Sequence, residues 1–160
     1  MVAGRPRGET KTGEQVVTEH RRARFDYTID DTLEAGLELM GSEVKALRNG
    51  EANLADSYAV EKGHELFLHN AHIGAYKPAA LFGHLPTRPR KLLLHREEIE
   101  KWGAKVRERG YSIIPLMLYF KNGRAKVRLG LCKGKRHEDR RHDIKERDTR
   151  REVDRAMRRR

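Results

Sequence analysis

One cysteine in 160 residues rules out an internal disulfide and fits a reducing, cytoplasmic setting. Cys132 ends an apolar run between Leu131 and Lys133 and reads as a small core residue rather than a reactive thiol. There is also no run of eighteen apolar residues, so no segment is expected to span a membrane. Met1 to Glu19 carries Gly, Pro and charge where a secretory leader would carry an apolar stretch. A phosphate-cradling loop is missing, because Gly134-Lys135 lacks both the preceding glycine and the following Ser or Thr. No Ser or Cys stands with a His in a nucleophile signature. His69 and His72 differ by three and would point to opposite faces of a strand, so they do not join His64 as metal ligands. His137-Glu138-Asp139 falls in a segment expected to lack fixed geometry. These absences argue against an enzyme, a metal and a cofactor. No internal repeat is found.

What the chain has in surplus is positive charge, unevenly spread. Lys and Arg total 35 against 24 Asp and Glu, a net +11. Residues 133–160 hold thirteen basic and seven acidic side chains, hence +6, with only four apolar ones. Residues 1–24 carry +3, and the 108 residues between carry only +2. Length and charge together predict a flexible basic N-terminal arm over 1–24, one near-neutral domain over 25–132 and a basic C-terminal tail over 133–160. Nucleic acid is the natural partner of such arms, since each phosphate neutralised releases a condensed counterion. An anionic membrane fits less well, because the tail has too few apolar side chains for an interfacial helix. A merely solubilising tail would share its composition.

The tail cannot bury enough surface to offset the entropy of ordering itself, which predicts disorder for it alone. Its pattern is nonetheless helical. Asp143 and Arg147, Glu146 and Arg150, and Asp154 and Arg158 are acid-before-base pairs four apart, with Val153 and Met157 on one face. The tail is therefore expected to be disordered or conditionally helical.

In the middle, strands dominate. Phe25, Tyr27 and Ile29 alternate with polar residues, as a strand with one wet face does. Gly41-Ser42-Glu43 opens a helix carrying Val44 and Leu47, with Ser42 as cap and Asn49-Gly50 as stop. Tyr58–Val60 and Leu66–Leu68 flank a hairpin turn at 61–64, and Leu92–Leu94 ends a basic loop. A second helix spans Glu97–Arg109, striped by Ile99, Trp102 and Val106, with Gly110 beyond it. Asn122-Gly123 joins the runs Ile113–Phe120 and Ala125–Leu131 as a hairpin. The expected fold is mainly β with peripheral helices: a small antiparallel OB-like β-barrel, one of the barrels whose faces bind oligonucleotides.

Four blocks carry a family resemblance: FDYTIDDTLEAGLELMGSEVKALRNGEANLADSY (25–58), RPRKLLLHREEIEKW (88–102), GYSIIPLMLYFKNGRAKVRLGL (110–131) and GKRHEDRRHDIKERD (134–148). From about Arg21 to Arg160 the chain resembles the small protein B (SsrA-binding protein) family of bacterial trans-translation. That resemblance implies an OB-like barrel that binds the tRNA-like domain of tmRNA (SsrA RNA). It implies a ribosomal partner too, with the tail in the empty decoding region and mRNA path, and elongation factor Tu met through the tmRNA complex. No membrane partner is implied, and the protein is expected to be a monomer. Position by position, Glu34, Lys91 and Leu92 match barrel positions tied to RNA binding. Gly134, Lys135, Arg136, Asp139, Arg140 and Arg141 match tail motifs tied to ribosomal function, and Lys145, Arg147 and Met157 extend that engaging surface.

Several positions depart from the family pattern. Ser42 and Thr149 stand where many members carry Trp, Phe25-Asp26 replaces His-Glu, and Ala156-Met157 is smaller than the usual apolar pair. Asp139-Arg140-Arg141 has Arg where Lys is favoured, which keeps charge but changes hydrogen-bond geometry.

Residue chemistry adds its own expectations. Arg88, Arg90 and Lys91 lie in a segment that Pro86 and Pro89 hold extended, suited to tracking a phosphate backbone. Tyr27 can stack a base or pack in the barrel, and packing is the commoner fate of a strand aromatic. Glu34, which repels phosphate, can accept from a base amino group or a ribose hydroxyl, or orient a neighbouring Arg. A general single-strand RNA binder and a ribosomal or assembly protein remain alternatives.

Overall fold

The computed structural model describes residues 13–75 and 83–158; the first twelve residues of the expected arm and the last two of the tail lie outside them. The described chain runs β1 (Glu14–Glu19), α1 (Ala23–Asp26), β2 (Tyr27–Leu37), α2 (Gly41–Arg48), β3 (Ala52–Asn53), β4 (Tyr58–Lys62), β5 (Glu65–His69), β6 (His72–Ile73), β7 (Arg90–Leu93), α3 (Arg96–Arg109), β8 (Ser112–Lys121), β9 (Arg124–Gly134) and α4 (His137–Arg158).

Local chemistry accounts for the hairpins. Asn122 and Gly123 both have positive φ, 52° and 74°, as a two-residue turn matching strand twist requires, and β8 and β9 zip from Lys121↔Arg124 to Ser112↔Cys132. Gly63 and His64 do the same between β4 and β5. α3 ends where Gly110 turns left-handed, at φ 66° and ψ 29°.

Pairing β8–β4–β5–β7–β2–β9 and back to β8 closes a six-stranded antiparallel barrel. Its narrowest seam is β8–β4, which rests on Ala59↔Ile113. The rest of that β8 edge is taken by β1, which pairs with Met117–Lys121 across a bulge at Val16/Thr18. Inside lie Leu66, Leu68, Leu92, Leu118, Val127, Leu129 and Leu131, with Leu47 of α2 and Trp102 of α3 packed against them. Each such leucine contributes roughly 1.5–3 kcal/mol through burial.

Three expectations change. β1 makes residues 14–19 part of the sheet, so the N-terminal arm is shorter than 1–24; the bulge, which buries both Val17 and Thr18, hides the strand's alternation. The barrel runs past Cys132 as well, because Lys133 and Gly134 pair with Thr28 and Tyr27. Phe25 belongs to the single turn α1, whose Phe25 and Asp26 amides donate back to the Arg22 carbonyl, so strand β2 starts at Tyr27.

The tail forms one helix from His137 to Arg158, although none of its residues is buried. No Gly or Pro interrupts it, acids occupy its first turn and bases its last. Its start is tied down. The Lys135 amide donates to the Asp26 carbonyl at 3.0 Å, and the Lys135 ammonium donates to the Arg24 carbonyl at 2.9 Å and to Asp143. Arg147 lies 5.6 Å from the centre of the Phe25 ring. The anticipated Asp143–Arg147 pair is thus diverted at both ends, toward Lys135 and toward Phe25.

Candidate nucleic-acid interface

A groove of about 860 Å³ opens between β2, β7 and β9, the β4–β5 turn and the start of α3. It brings together Glu34 and Lys91, which lie 57 positions apart in the chain, and adds His64, Arg96 and Lys126. Leu93, half exposed, supplies an apolar floor. A Cβ at Gly36 would come within 3.2 Å of the Leu93 Cβ, so the glycine of the EAG block leaves room for that side chain.

Glu34 is held from one side. Its Oε2 accepts from the Tyr119 hydroxyl and, at 3.3 Å, from the Lys121 ammonium. The Tyr119 bond, with help from Lys121 and Lys126 against the upward push of burial, keeps the carboxyl below the usual carboxylate range. Lys91 donates to Glu65 Oε1 at 2.5 Å, and that bond raises its pKa. Lys126 has no carboxylate within ion-pair distance among the described residues. Cations, carboxylates and an apolar floor in one open groove suit RNA, whose phosphates, base edges and 2′-hydroxyls need all three.

Arg88 and Arg90 do not join it. Arg90 is fully buried, and its Nε donates to Glu43 Oε1 at 2.7 Å while its Nη atoms donate to the carbonyls of Ala71 (2.6 Å) and Pro86 (3.0 Å). Arg88 grips the same carboxylate through Nε (2.8 Å) and Nη2 (2.5 Å). Burial pushes the Glu43 carboxyl up, but Arg88, the Met40 amide and Arg90 together hold it below its ordinary value. The extended segment after Pro89 is strand β7, whose period of two sends Arg90 and Leu92 inward and Lys91 outward. Arg90, expected to meet RNA, therefore offers it no surface, while Leu92 lines the groove but is only 1% exposed. Tyr27 is half-buried at the barrel end next to Gly134.

The SmpB protein family model matches residues 17–159, nearly the whole chain. This chain belongs to the SmpB family. It is 72% identical over 151 residues to the SsrA-binding protein of Myxococcus xanthus (strain DK1622), covering 94% of this chain and 93% of that protein. With the SsrA-binding protein of Anaeromyxobacter sp. (strain Fw109-5) it is 58% identical, over 99% of this chain and 96% of the relative. A solved structure described as "tmRNA-SmpB: a journey to the center of the bacterial ribosome" superposes with a TM-score of 0.65 at 42% identity, over 79% of this chain and 93% of that one.

Within the SmpB frame, the departures have local partners. Ser42 does not cap α2; Glu43 accepts from the Met40 amide instead, at 2.8 Å, and the Ser42 hydroxyl meets His84 Nδ1 at 2.9 Å. His84 Nε2 in turn donates to the Ile73 carbonyl at 3.0 Å, which fixes the tautomer. Thr149 bonds the Lys145 carbonyl within α4. In the tail, Asp139 reaches back to the Arg136 amide at 3.3 Å, while Arg136, Arg141 and Lys145 are exposed and Met157 is 72% exposed. The histidines go separate ways: His64 forms a turn, His69 stacks on Tyr58 and His72 lies in β6.

Sequence reasoning missed Glu43, Tyr119, Lys121, Lys126 and Arg128. For the last two a signal existed, since Lys126 and Arg128 alternate with core residues Val127 and Leu129 and so face outward. Nothing local tells that Glu43 awaits two arginines 45 and 47 positions on.

Proposed function

We propose that this chain binds the tRNA-like domain of tmRNA through the Glu34–Lys91–Lys126 groove. It then delivers that RNA to stalled ribosomes in the cytoplasm, so that the nascent chain is tagged for degradation and the ribosome is released. The observation that carries this is the convergence of Glu34 and Lys91 in one RNA-compatible groove on a barrel of the SmpB family. In this reading α4 enters the decoding region and mRNA path, and Gly134, Lys135, Arg136, Asp139, Arg140, Arg141, Lys145, Arg147 and Met157 serve that step. The protein acts as a monomer, contributes no catalysis of its own, and meets elongation factor Tu through the RNA. Exposed arginines spread along α4 support a long anionic track rather than a compact site.

The test is purification of the full chain from a bacterial lysate and sequencing of the RNA that accompanies it. One dominant tRNA-mimicking RNA is expected, and it should resist competition by generic RNA at fixed salt. A broad mixture of RNAs would favour a general single-strand binder and overturn the proposal.

A further inference from the structure

Tyr119 is the largest outward-pointing side chain on β8, yet it is fully buried. Its neighbours Leu118 and Phe120 belong to the core cluster, and by the strand period Tyr119 points the other way, out of the barrel. Polar neighbours cover it there. The Arg128 guanidinium lies 5.3 Å from the ring centre, and Arg128 is itself 3.5 Å from Glu14 of β1. An outer-face aromatic so covered cannot stack a base. Its hydroxyl, however, reaches the one carboxylate in the groove that the family resemblance singles out.

We propose that Tyr119 is a positioning residue for RNA recognition: its phenol locks the Glu34 carboxylate in one orientation and leaves Oε1 to accept from the RNA. Both protein hydrogen bonds to this carboxylate, from Tyr119 and Lys121, go to Oε2; among the described residues Oε1 accepts none. A carboxylate free to rotate would lose rotamer entropy on binding and present either oxygen to phosphates that repel it. One held by a buried phenol has already lost that freedom. The proton inventory is consistent. Burial and then Glu34 push the phenol far above its ordinary pKa, so Tyr119 remains a donor, while its bond keeps Glu34 ionised as an acceptor. The cations nearest Glu34 are Lys121 from β8, its cross-strand partner Arg128 and Lys126 from β9, and Lys91 from β7. The groove's other carboxylates are already engaged, Glu65 by the Lys91 ammonium and Glu98 by the His95 amide.

The inference rests on Glu34 contacting RNA, and the test separates the two ideas. Tyr119→Phe keeps the ring under Arg128 and deletes only the hydroxyl. In the full chain it should keep the thermal transition and weaken binding of the transcribed tRNA-like domain about five- to tenfold. In a Glu34→Ala background the same change should cost nothing further, a non-additivity that a purely structural role would not produce. The Glu34 carboxyl titration, followed by carbon NMR, should move to higher pH in Tyr119→Phe. If Glu34→Ala weakens binding but Tyr119→Phe does not, or if the two losses simply multiply, the positioning role is overturned and tmRNA binding stands. If the wild-type chain does not select the tRNA-like domain at all, the functional reading falls and Tyr119 with it.

Discussion

Two arginine-rich stretches of this chain put the same side chain to opposite uses. In 88–91, Arg88 and Arg90 close on Glu43, and Arg90 is wholly removed from water. In α4, which begins three positions after the barrel's last strand, all the arginines from Arg141 on stand exposed on a helix with no buried residue. A basic run therefore does not by itself identify a polyanion site; what decides is whether the fold supplies a buried carboxylate. Glu43 does so because its place in the first turn of α2 brings its carboxylate against both Arg88 and Arg90. The three-way contact joins α2, the loop after Pro86 and the carbonyl of Ala71, so it ties down the connection that leads into the groove strand.

The sharpest way to break this contrast is Glu43→Gln. Two buried or half-buried guanidinium groups would face a neutral partner, and the cost should be about 3–5 kcal/mol in urea unfolding. The same substitution tests the pH dependence. Because the folded Glu43 pKa is depressed, its contribution is full above the unfolded value, about 4.3, and is lost as pH falls through the folded value. The wild type should therefore lose stability below about pH 4, and the variant should show a flatter acid limb.

On the tail side the expected effect is functional, not thermodynamic. Replacing Asp139, Arg140 and Arg141 together by Ala should leave unfolding and tmRNA affinity within about twofold of wild type, yet abolish tagging of stalled nascent chains. Full tagging activity in that variant would return α4 to a solubilising appendage. Lys91→Ala sits between the regions. It should weaken RNA binding several-fold and reduce the slope of log K against log salt by about one if the ammonium reaches a phosphate.

The smallest effect should come from Arg147→Ala. Losing an exposed cation–π contact is worth about 0.5–1 kcal/mol, so amide exchange in the first turns of α4 should quicken roughly two- to fivefold. Global stability should shift by no more than about 0.5 kcal/mol. Unchanged exchange would mean that Lys135 alone anchors the helix.

Much of the fold was legible because its signals are local. Asn122-Gly123 prescribes a left-handed turn, the Ile99–Trp102–Val106 stripe prescribes α3, and Glu34 and Lys91 were found through the motifs around them. β1 was not legible, since a bulge and three acidic or amide side chains mask its pairing. Arg90 was misjudged for a related reason: Pro89 suggested an open extended loop, and one residue of register separates a side chain facing phosphate from one facing the core.

By itself the sequence determined the charge layout, the hairpins, helix α3 and the family, all of which depend on residues near one another or on motif order. Only the tertiary structure decided which basic groups remain available. Closing six strands into a barrel brings Glu43 to Arg88 and Arg90, and Tyr119 to Glu34, across separations of 45 to 85 residues. Whether a side chain is desolvated and paired is set by those distant partners, because the cost of burying a charge is met only where an opposite charge or a donor has been folded beside it.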